Sequence, residues 1–318
     1  MLLDMHDLMA LSAPLAAAVL VMAAAWGAVF GSFVNCVAWR LVHGESPWKG
    51  RSHCAVCDHE LGALDLIPVL SWLFLGGRCR YCGERISVRY TLAELLLAAY
   101  FASVVWVYGV SVHALALCIL GCLLLGLSLV DLDSYIIPNG FIVAGIAVWA
   151  ATFAFYGLPG EGVGLGSLFA GALGKPLMAV AADAAAGAFG VAGALLVFSI
   201  AFEALTGKVG LGGGDLKLVF MAGLYLGLAA SVLNLLLSCV LGLVFNLAWA
   251  RAHPQGDPHA PAPRAFPFGP AISASVWLTL LFGSPVLAAY LGLFLGEGVR
   301  CAGGHGGRRA GAAPVRWS

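Results

Sequence analysis

Charge is scarce in this sequence. Only 10% of its 318 residues are Asp, Glu, Lys or Arg, and the acidic and basic residues balance at 16 each. Soluble domains carry about a quarter charged and about half apolar residues, whereas this chain is 61% hydrophobic with a mean hydropathy of +0.96. The composition predicts an integral membrane protein, and the zero net charge gives no basis for nucleic-acid binding.

Motifs of several common hydrolase and nucleotide-binding classes are also missing. The chain has no HExxH helix of zinc proteases and no GxSxG elbow of serine hydrolases. "GKV" at residues 207–209 lacks the Ser or Thr that follows the lysine of a P-loop, and "GVGLGS" at residues 162–167 is predicted to be an external glycine-rich loop. Phosphate binding and zinc- or serine-dependent hydrolysis are therefore not indicated.

Long apolar runs are abundant instead. A spanning helix needs about 20 apolar residues, so the runs predict an all-α polytopic membrane protein with about eight transmembrane helices. The predicted spans are residues 14–39, 91–110, 112–130, 140–157, 179–204, 216–230, 231–251 and 268–283. Residues 284–296 are too short to span alone; they extend the eighth helix, lie at the interface, or pair with it as a ninth helix.

Four regions follow from this pattern. They are a first transmembrane helix (1–42), a polar loop domain (43–90), a multi-helix membrane core (91–296) and a Gly- and Arg-rich tail (297–318) that is predicted to be disordered. The loop domain has the highest density of Lys and Arg, so it is predicted to lie in the cytoplasm. The N-terminus lacks the basic start of a signal peptide. Because it is acidic, it is predicted to lie outside. With this topology Asp131 and Asp215 also lie on the cytoplasmic face.

The loop domain contains two paired cysteines, which predict a structural zinc site. They are "CAVC" (Cys54, Cys57) and "CRYC" (Cys79, Cys82), with the spacing C-x2-C-x21-C-x2-C. Four thiolates complete a tetrahedral Zn²⁺ site and leave no position for water. A reducing cytoplasm disfavours disulfides, and redox-active dithiols are the weaker alternative. His53 and His59 are predicted to be bystanders because the four cysteines already fill the site.

Three carboxylates stand at the ends of apolar runs and are the candidate catalytic groups. "LSLVDLDSYIIPNG" carries Asp131 and Asp133, and "KVGLGGGDLKL" carries Asp215 among four glycines. Charge at membrane depth is costly, so such residues are functional candidates, although helix capping is an alternative for each. Asp131 and Asp133 do not share a helix face, so only one of them points into the bundle, and the residues alone do not decide which.

A pair of neighbouring carboxylates has a defined chemistry. Two neighbouring carboxylates repel each other when both are ionised, so one of them keeps a proton. The ionised carboxylate then acts as a general base on water, while the protonated carboxyl polarises a carbonyl. The glycines before Asp215 allow a peptide backbone to approach the acid. Two other acids at the membrane boundary, Glu94 and Glu203, and Asp183 in an Ala-rich run are predicted to serve packing or interface placement. Lys217 is predicted to reach the headgroups.

Six motifs in order give the chain a family resemblance. "GSFVNCVAWRL", "CAVC", "GGRCRYCGERISVRYTLAELL", "LVDLDSYIIPN", "GLGGGDLKL" and "FPFGP" follow one another between Gly31 and Pro270. This series resembles the bacterial type IV prepilin peptidases, the leader peptidase/N-methyltransferases of type IV pili and type II secretion. Two positions depart from the family pattern, with Val42 and Thr91 where proline is usual.

The resemblance implies an intramembrane aspartyl protease of the bacterial inner membrane. Such an enzyme cuts the leader from prepilins or pseudopilins after a glycine at the cytoplasmic face, and its catalytic pair corresponds here to Asp131 and Asp215. Members with the cysteine loop generally also methylate the new N-terminal amine with S-adenosylmethionine. For that activity the candidates are four residues of the first and second spans: Gly31, Asn35, Arg40 and Glu94. Close helix packing is the competing interpretation of Gly31 and Asn35.

Two functions from other classes stay open at this point. One is a proton-coupled transporter that uses the buried acids as relays, which predicts inverted repeats with paired broken helices. The other is a methyltransferase or zinc-stapled membrane scaffold without protease activity, in which cleavage does not depend on the aspartates. The expected partners under the leading hypothesis are a prepilin or pseudopilin and membrane lipid, and not nucleic acid.

Overall fold

The computed structural model describes residues 5–47, 50–54, 56–156, 176–207, 210–252 and 267–295. Its helices are α1 (Met5–Leu11), α2 (Ala13–Val42), α3 (Leu70–Phe74), α4 (Val88–Tyr108), α5 (Val112–Ser134), α6 (Asn139–Tyr156), α7 (Pro176–Ala185), α8 (Ala192–Thr206), α9 (Gly213–Ala252) and α10 (Gly269–Leu295). A π-helical turn, Ala186–Val191, joins α7 to α8. The prediction of an all-α protein is confirmed for these ranges, while the expected loop at 162–167 and the expected disordered tail lie outside them.

Six helical stretches are long and apolar enough to cross a membrane within the described ranges. They are Ala13–Val42, Val88–Tyr108, Val112–Ser134, Leu177–Thr206, Gly213–Ala248 and Gly269–Tyr290, and α6 contributes a shorter apolar helix, Asn139–Phe153. The chain is therefore a multi-pass membrane protein, but the predicted count of eight or nine spans is not confirmed. The spans predicted at 216–230 and 231–251 both lie on α9, and α10 continues through Pro285 into the short apolar stretch.

Helix α9 is broken at Gly227, where the chain reverses direction. Gly227 has φ 72° and ψ −178°, a conformation that is open to glycine and closed to other residues. At the start of α9, Gly214 packs against Ile137 just after α5, while Gly242 packs against Phe268 just before α10. Both ends of the broken helix thus lie on one side of the bundle. The first segment, residues 213–226, is about 21 Å long at 1.5 Å per residue, which is shorter than the hydrocarbon core of a bilayer at about 30 Å.

Asp183 on α7 closes this break. Its Oδ1 accepts a hydrogen bond from the N–H of Leu228 at 3.1 Å, and its carboxylate lies so close to Gly227 that no Cβ would fit there. Backbone polar groups inside a bilayer must find partners within the protein. The buried Asp183, for which packing was predicted, therefore has a specific role: it satisfies the first N–H after the break.

Helix α5 is the central element of the bundle and carries the buried core. Leu117, Leu120 and Leu127 on α5 are fully buried, and α5 packs against α2, α4, α6 and α10. Tyrosine hydroxyls from neighbouring helices donate to main-chain carbonyls, as Tyr100 does to Leu117 at 3.0 Å. Because α5 is held on several sides, the position of its last turn is well defined.

Candidate aspartate site, tetracysteine cluster and adjoining cavity

Asp131 lies on the last turn of α5 and is only 5% exposed. Its Oδ2 accepts a hydrogen bond from the N–H of Gly269, the first residue of α10, at 2.9 Å. A Cβ at Gly269 would lie 2.7 Å from the same oxygen, so glycine is required for this contact. The start of α10 also presents the positive end of a helix dipole to the carboxylate. The "FPFGP" segment thus serves to hold Asp131.

Asp215 lies in the first turn of α9 and is half-buried. A Cβ at Gly212 would lie 3.0 Å from its Oδ2, and Gly214 packs tightly on Ile137, so the glycines before Asp215 allow close approach on both sides. Lys217 donates to Asn139 Oδ1 at 2.9 Å and ties this turn to the start of α6. Lys217 is exposed, so its predicted headgroup contact stays a prediction beside this polar contact between helices.

The structure brings Asp131 and Asp215 to one place at the ends of α5 and α9. Each lies within electrostatic range of the other, so two ionised carboxylates would repel. A pair in this relation can share a proton and divide the roles of acid and base. The catalytic role, including the close contact that proton sharing requires, stays a prediction.

Asp133 is engaged on a different side of α5. Its two carboxylate oxygens accept from the guanidinium of Arg89 at 2.6 and 2.9 Å, and Arg89 also donates to the carbonyl of Leu129 at 3.1 Å. A bidentate ion pair of this kind fixes the position and orientation of the carboxylate. Of the two neighbouring acids, Asp131 is therefore the one that faces Asp215, which the residue pattern alone left undecided.

The four loop cysteines form a cluster that could hold a metal ion. Their Sγ atoms all lie within 4.8 Å of one another, and the Sγ atoms of Cys54 and Cys82 are 3.9 Å apart. A tetrahedral site with Zn–S bonds of about 2.3 Å separates its sulfurs by about 3.8 Å. The arrangement therefore fits a closed tetrahedral metal site.

The two cysteine pairs adopt the same turn. In the first, Cys54 N–H donates to the carbonyl of His59 at 3.0 Å and Asp58 N–H donates to the carbonyl of Cys54 at 2.9 Å. In the second, Cys79 N–H donates to Glu84 and Gly83 N–H donates to Cys79, at 2.8 and 3.0 Å. Asp58 and Gly83 both have positive φ. This structural repeat was not recognised in the sequence because the two turns share little beyond their cysteines.

The pKa values of two thiols in the cluster, Cys54 and Cys82, are shifted in opposite directions. Backbone N–H groups of Val56 and Cys57 lower the pKa of Cys54 to about 7. The backbone N–H of Glu84 favours the thiolate of Cys82, but desolvation and hydrogen bonding with the other three thiols raise the pKa of Cys82 to about 12. Four thiolates cannot carry charge together at this distance without a cation. A bound metal would remove the conflict.

The neighbouring histidines are engaged elsewhere. His53 Nε2 lies 3.7 Å from the carboxylate of Asp58, and the ring of His59 packs on Tyr81 with centroids 3.6 Å apart. Within the described ranges, the cluster of potential metal ligands contains the four cysteines and neither histidine. This agrees with their predicted role as bystanders.

A cavity of about 380 Å³ lies between α2, α4 and the tetracysteine loop. Three of the four methyltransferase candidates line it, namely Asn35, Arg40 and Glu94. The fourth, Gly31, packs instead against the backbone of Glu94, as the packing interpretation predicted. Sequence reasoning missed the cavity because its wall is assembled from residues far apart in the chain.

Comparisons with known proteins agree with this arrangement. Residues 25–108 match the family model described as the bacterial peptidase A24 N-terminal domain, and residues 118–247 match that of the type IV leader peptidase family. The prepilin leader peptidase/N-methyltransferase of Pseudomonas putida is 34% identical over 291 residues, covering 84% of this chain and 92% of the relative. Relatives of the same name from Aeromonas hydrophila and Bacillus subtilis are 35% and 31% identical and are covered to 92% and 97%. No solved structure matches the chain.

Proposed function

The chain belongs to the type IV leader peptidase family, and from this premise we propose that it cleaves leader peptides from type IV prepilins or pseudopilins and N-methylates the new N-terminus. The observation that carries the proposal is the placement of Asp131 and Asp215 within electrostatic range of each other, at the ends of two apolar helices. Its substrate is expected at the cytoplasmic face of the bacterial inner membrane, where the basic loop domain also lies.

The two aspartates have different roles in the hydrolysis of the peptide bond. The ionised carboxylate takes a proton from water, whose oxygen attacks the scissile carbonyl carbon, while the protonated carboxyl donates a hydrogen bond to the carbonyl oxygen. As the C–N bond breaks, a proton passes to the leaving amine. Gly269 N–H holds Asp131 in place throughout, and the glycines before Asp215 leave room for the substrate backbone.

The tetracysteine cluster is proposed to bind one Zn²⁺ through Cys54, Cys57, Cys79 and Cys82. The fit of the sulfur separations to a tetrahedron supports this, and a closed site is structural rather than hydrolytic. A loop of this size has little core of its own, so the metal would stabilise its fold. The proposed methyl donor is S-adenosylmethionine, which supplies a methyl group from a sulfonium centre.

One experiment tests the whole proposal. Purified protein is incubated with a prepilin in lipid or detergent, with and without the methyl donor, and the product is analysed by mass spectrometry. The expected product has lost the leader, and with the donor it carries one additional methyl group. An intact prepilin after incubation with folded, metal-loaded protein would reject the protease and would favour a proton-coupled transporter.

A further inference from the structure

We propose that the cavity between α2, α4 and the tetracysteine loop is the binding site for the methyl donor, a sulfonium nucleoside of the S-adenosylmethionine type. The inference rests on the proposed N-methyltransferase function and adds where the donor sits and which side chains hold it. Methyl transfer would then take place in a pocket separate from the two aspartates, on the same face of the membrane.

The size and position of the cavity suit such a ligand. Its volume of about 380 Å³ falls in the range of about 300–1,000 Å³ that small-molecule sites occupy. Its lining includes polar side chains from α2 and α4, such as Asn35 and Glu94, and apolar side chains from the loop, such as Leu61 and Leu66. A nucleoside joined to an amino acid likewise combines a flat ring with charged groups.

Three aromatic side chains line the cavity. Trp39 comes from α2, Trp72 from α3 and Tyr90 from α4. Aromatic faces stack on a purine ring and attract a cation placed over them. These are the two interactions that an adenine and a sulfonium require.

Glu94 supplies the negative charge expected beside a sulfonium. It is 8% exposed, and its Oε2 accepts from the N–H of Val69 at 2.7 Å, which leaves Oε1 for a ligand. Val69 is held at φ 62°, an unusual backbone conformation for a β-branched residue. Strained residues of this kind cluster at ligand sites. The buried carboxylate and the strained residue it holds are therefore better explained by binding than by helix packing alone.

Arg40 fixes the shape of the cavity. It is 6% exposed, and its guanidinium donates to the carbonyls of Pro47, Gly50 and Arg51 at 3.1–3.4 Å. These bonds fasten the first part of the loop to the end of α2. Arg40 is thus a positioning residue. Arg80 at the cavity edge is paired with Asp65 at 2.7 Å, so the exposed Arg85 is the positive group proposed to meet the donor's carboxylate.

The tetracysteine cluster forms part of the cavity wall. Cys54 and Cys79, one from each pair, line it. The metal would therefore support donor binding without taking part in the transfer. This gives a physical reason for a metal-stabilised loop to accompany a methyltransferase.

The cavity and the aspartate site are connected through the first turn of α4. Tyr90 lines the cavity, while the preceding Arg89 is bonded to Asp133 and to Leu129 on the last turns of α5, next to Asp131. The amine released at the aspartates therefore emerges close to the donor. Transfer forms an N–C bond at that amine, breaks the donor's S–C bond, leaves a neutral thioether and releases one proton to solvent.

Donor binding to the full-length, metal-loaded protein tests the proposal without reliance on activity. Equilibrium dialysis with labelled S-adenosylmethionine measures affinity, and leader cleavage is measured on the same samples. The variant Glu94→Gln keeps the size of the side chain and removes its charge, and we expect affinity to fall about tenfold or more with cleavage little changed. Glu203→Gln, at an exposed acid on α8, is the matched control and should bind as the wild type does.

A second variant covers the case in which Glu94→Gln fails to fold. Ser32 lines the cavity from α2, and Ser32→Phe would fill space there while leaving the Glu94 and Arg40 bonds in place. Loss of donor binding with retained cleavage in either variant supports the site. Wild-type affinity in both variants would overturn it. A wild-type protein that cleaves prepilin but binds no donor would instead overturn the N-methyltransferase part of the proposed function, and the site with it.

Discussion

The two regions of this molecule are held together in different ways. From α2 to α4, glycines bring the two long helices together, as Gly31 does against Glu94, and polar contacts fasten the loop to them: Arg40 and Glu94 bind loop backbone groups, and a cysteine cluster closes the loop. From α5 to α10, helices also meet through glycines, such as Gly187 against Gly223 and Gly227, and buried carboxylates bind single backbone N–H groups. The first region therefore combines helix packing with a polar loop and a cavity, whereas the second is a packed membrane bundle.

The difference suggests that the two proposed activities are separable. Cleavage should depend on the second region and on small displacements within it, because its groups are held by close backbone contact. Donor binding should depend on the first region. If the two activities are separable, substitutions in the second region should lower the rate of leader cleavage more than substitutions in the first region.

The largest loss is expected from removing either aspartate. Asp131→Asn or Asp215→Asn should lower the cleavage rate by about 1,000-fold or more, since general acid–base groups each contribute about 10²–10⁴. Rates are measured on purified variants with a prepilin substrate. Donor affinity, measured on the same samples, should stay at the wild-type value because neither residue lines the cavity.

Asp133→Asn is the matched control for the aspartates. Asp133 is paired with Arg89 and not with Asp215, so this variant should keep much more activity. A loss as complete as that of Asp131→Asn would mean that the wrong member of the "DLD" sequence was assigned. Near-normal cleavage by Asp215→Asn would reject the aspartate mechanism altogether.

The second prediction concerns the contact that holds Asp131. In Gly269→Ala, the new Cβ would lie 2.7 Å from Asp131 Oδ2, so the carboxylate must move. Misplacement of a catalytic group by about 1 Å can cost about 100-fold, and we expect a loss of that order in cleavage rate. Gly193→Ala, on α8 with open space around the site of its Cβ, should be silent; equal losses in the two variants would contradict the argument.

The third prediction concerns the reversal at Gly227. Asp183→Ala leaves the buried N–H of Leu228 without its acceptor, at a cost of about 1–3 kcal/mol in the free energy of unfolding. Thermal unfolding should shift downward, and cleavage should fall about tenfold as the first segment of α9, which carries Asp215, loses its anchor. The shift is read by a thermal denaturation assay in detergent.

Asp183→Asn separates hydrogen bonding from charge at this position. The amide oxygen can still accept from Leu228, so this variant should stay close to the wild type in both assays. If it lost as much activity as Asp183→Ala, the carboxylate would have a role in chemistry or proton movement, which would favour the transporter hypothesis.

Much of this arrangement is visible in the sequence. The apolar runs predict the helices, the cysteine spacing predicts the cluster, and Asp131 and Asp215 stand out as carboxylates in apolar surroundings. The periodicity could not choose between Asp131 and Asp133, because that choice depends on Arg89, 44 residues away in the chain. The periodicity also could not predict which group accepts from the N–H of Leu228 at the break, because that acceptor is Asp183, 45 residues earlier in the chain. Short-range patterns describe elements, whereas these contacts arise only when elements pack.

The smallest effect on cleavage is expected from the metal site, although its effect on the first region should be large. Cys54→Ser removes one of four ligands from a closed site, so metal analysis should fall from about one zinc per chain to little or none. Because Cys54 lines the cavity and not the aspartate site, donor affinity should drop sharply while cleavage falls by about threefold or less, as expected for a substitution that touches no reacting group. Cys239→Ser, an exposed cysteine on α9, serves as control and should keep metal and both activities. Parallel loss of cleavage and donor binding in Cys54→Ser would show that the two regions act as one unit.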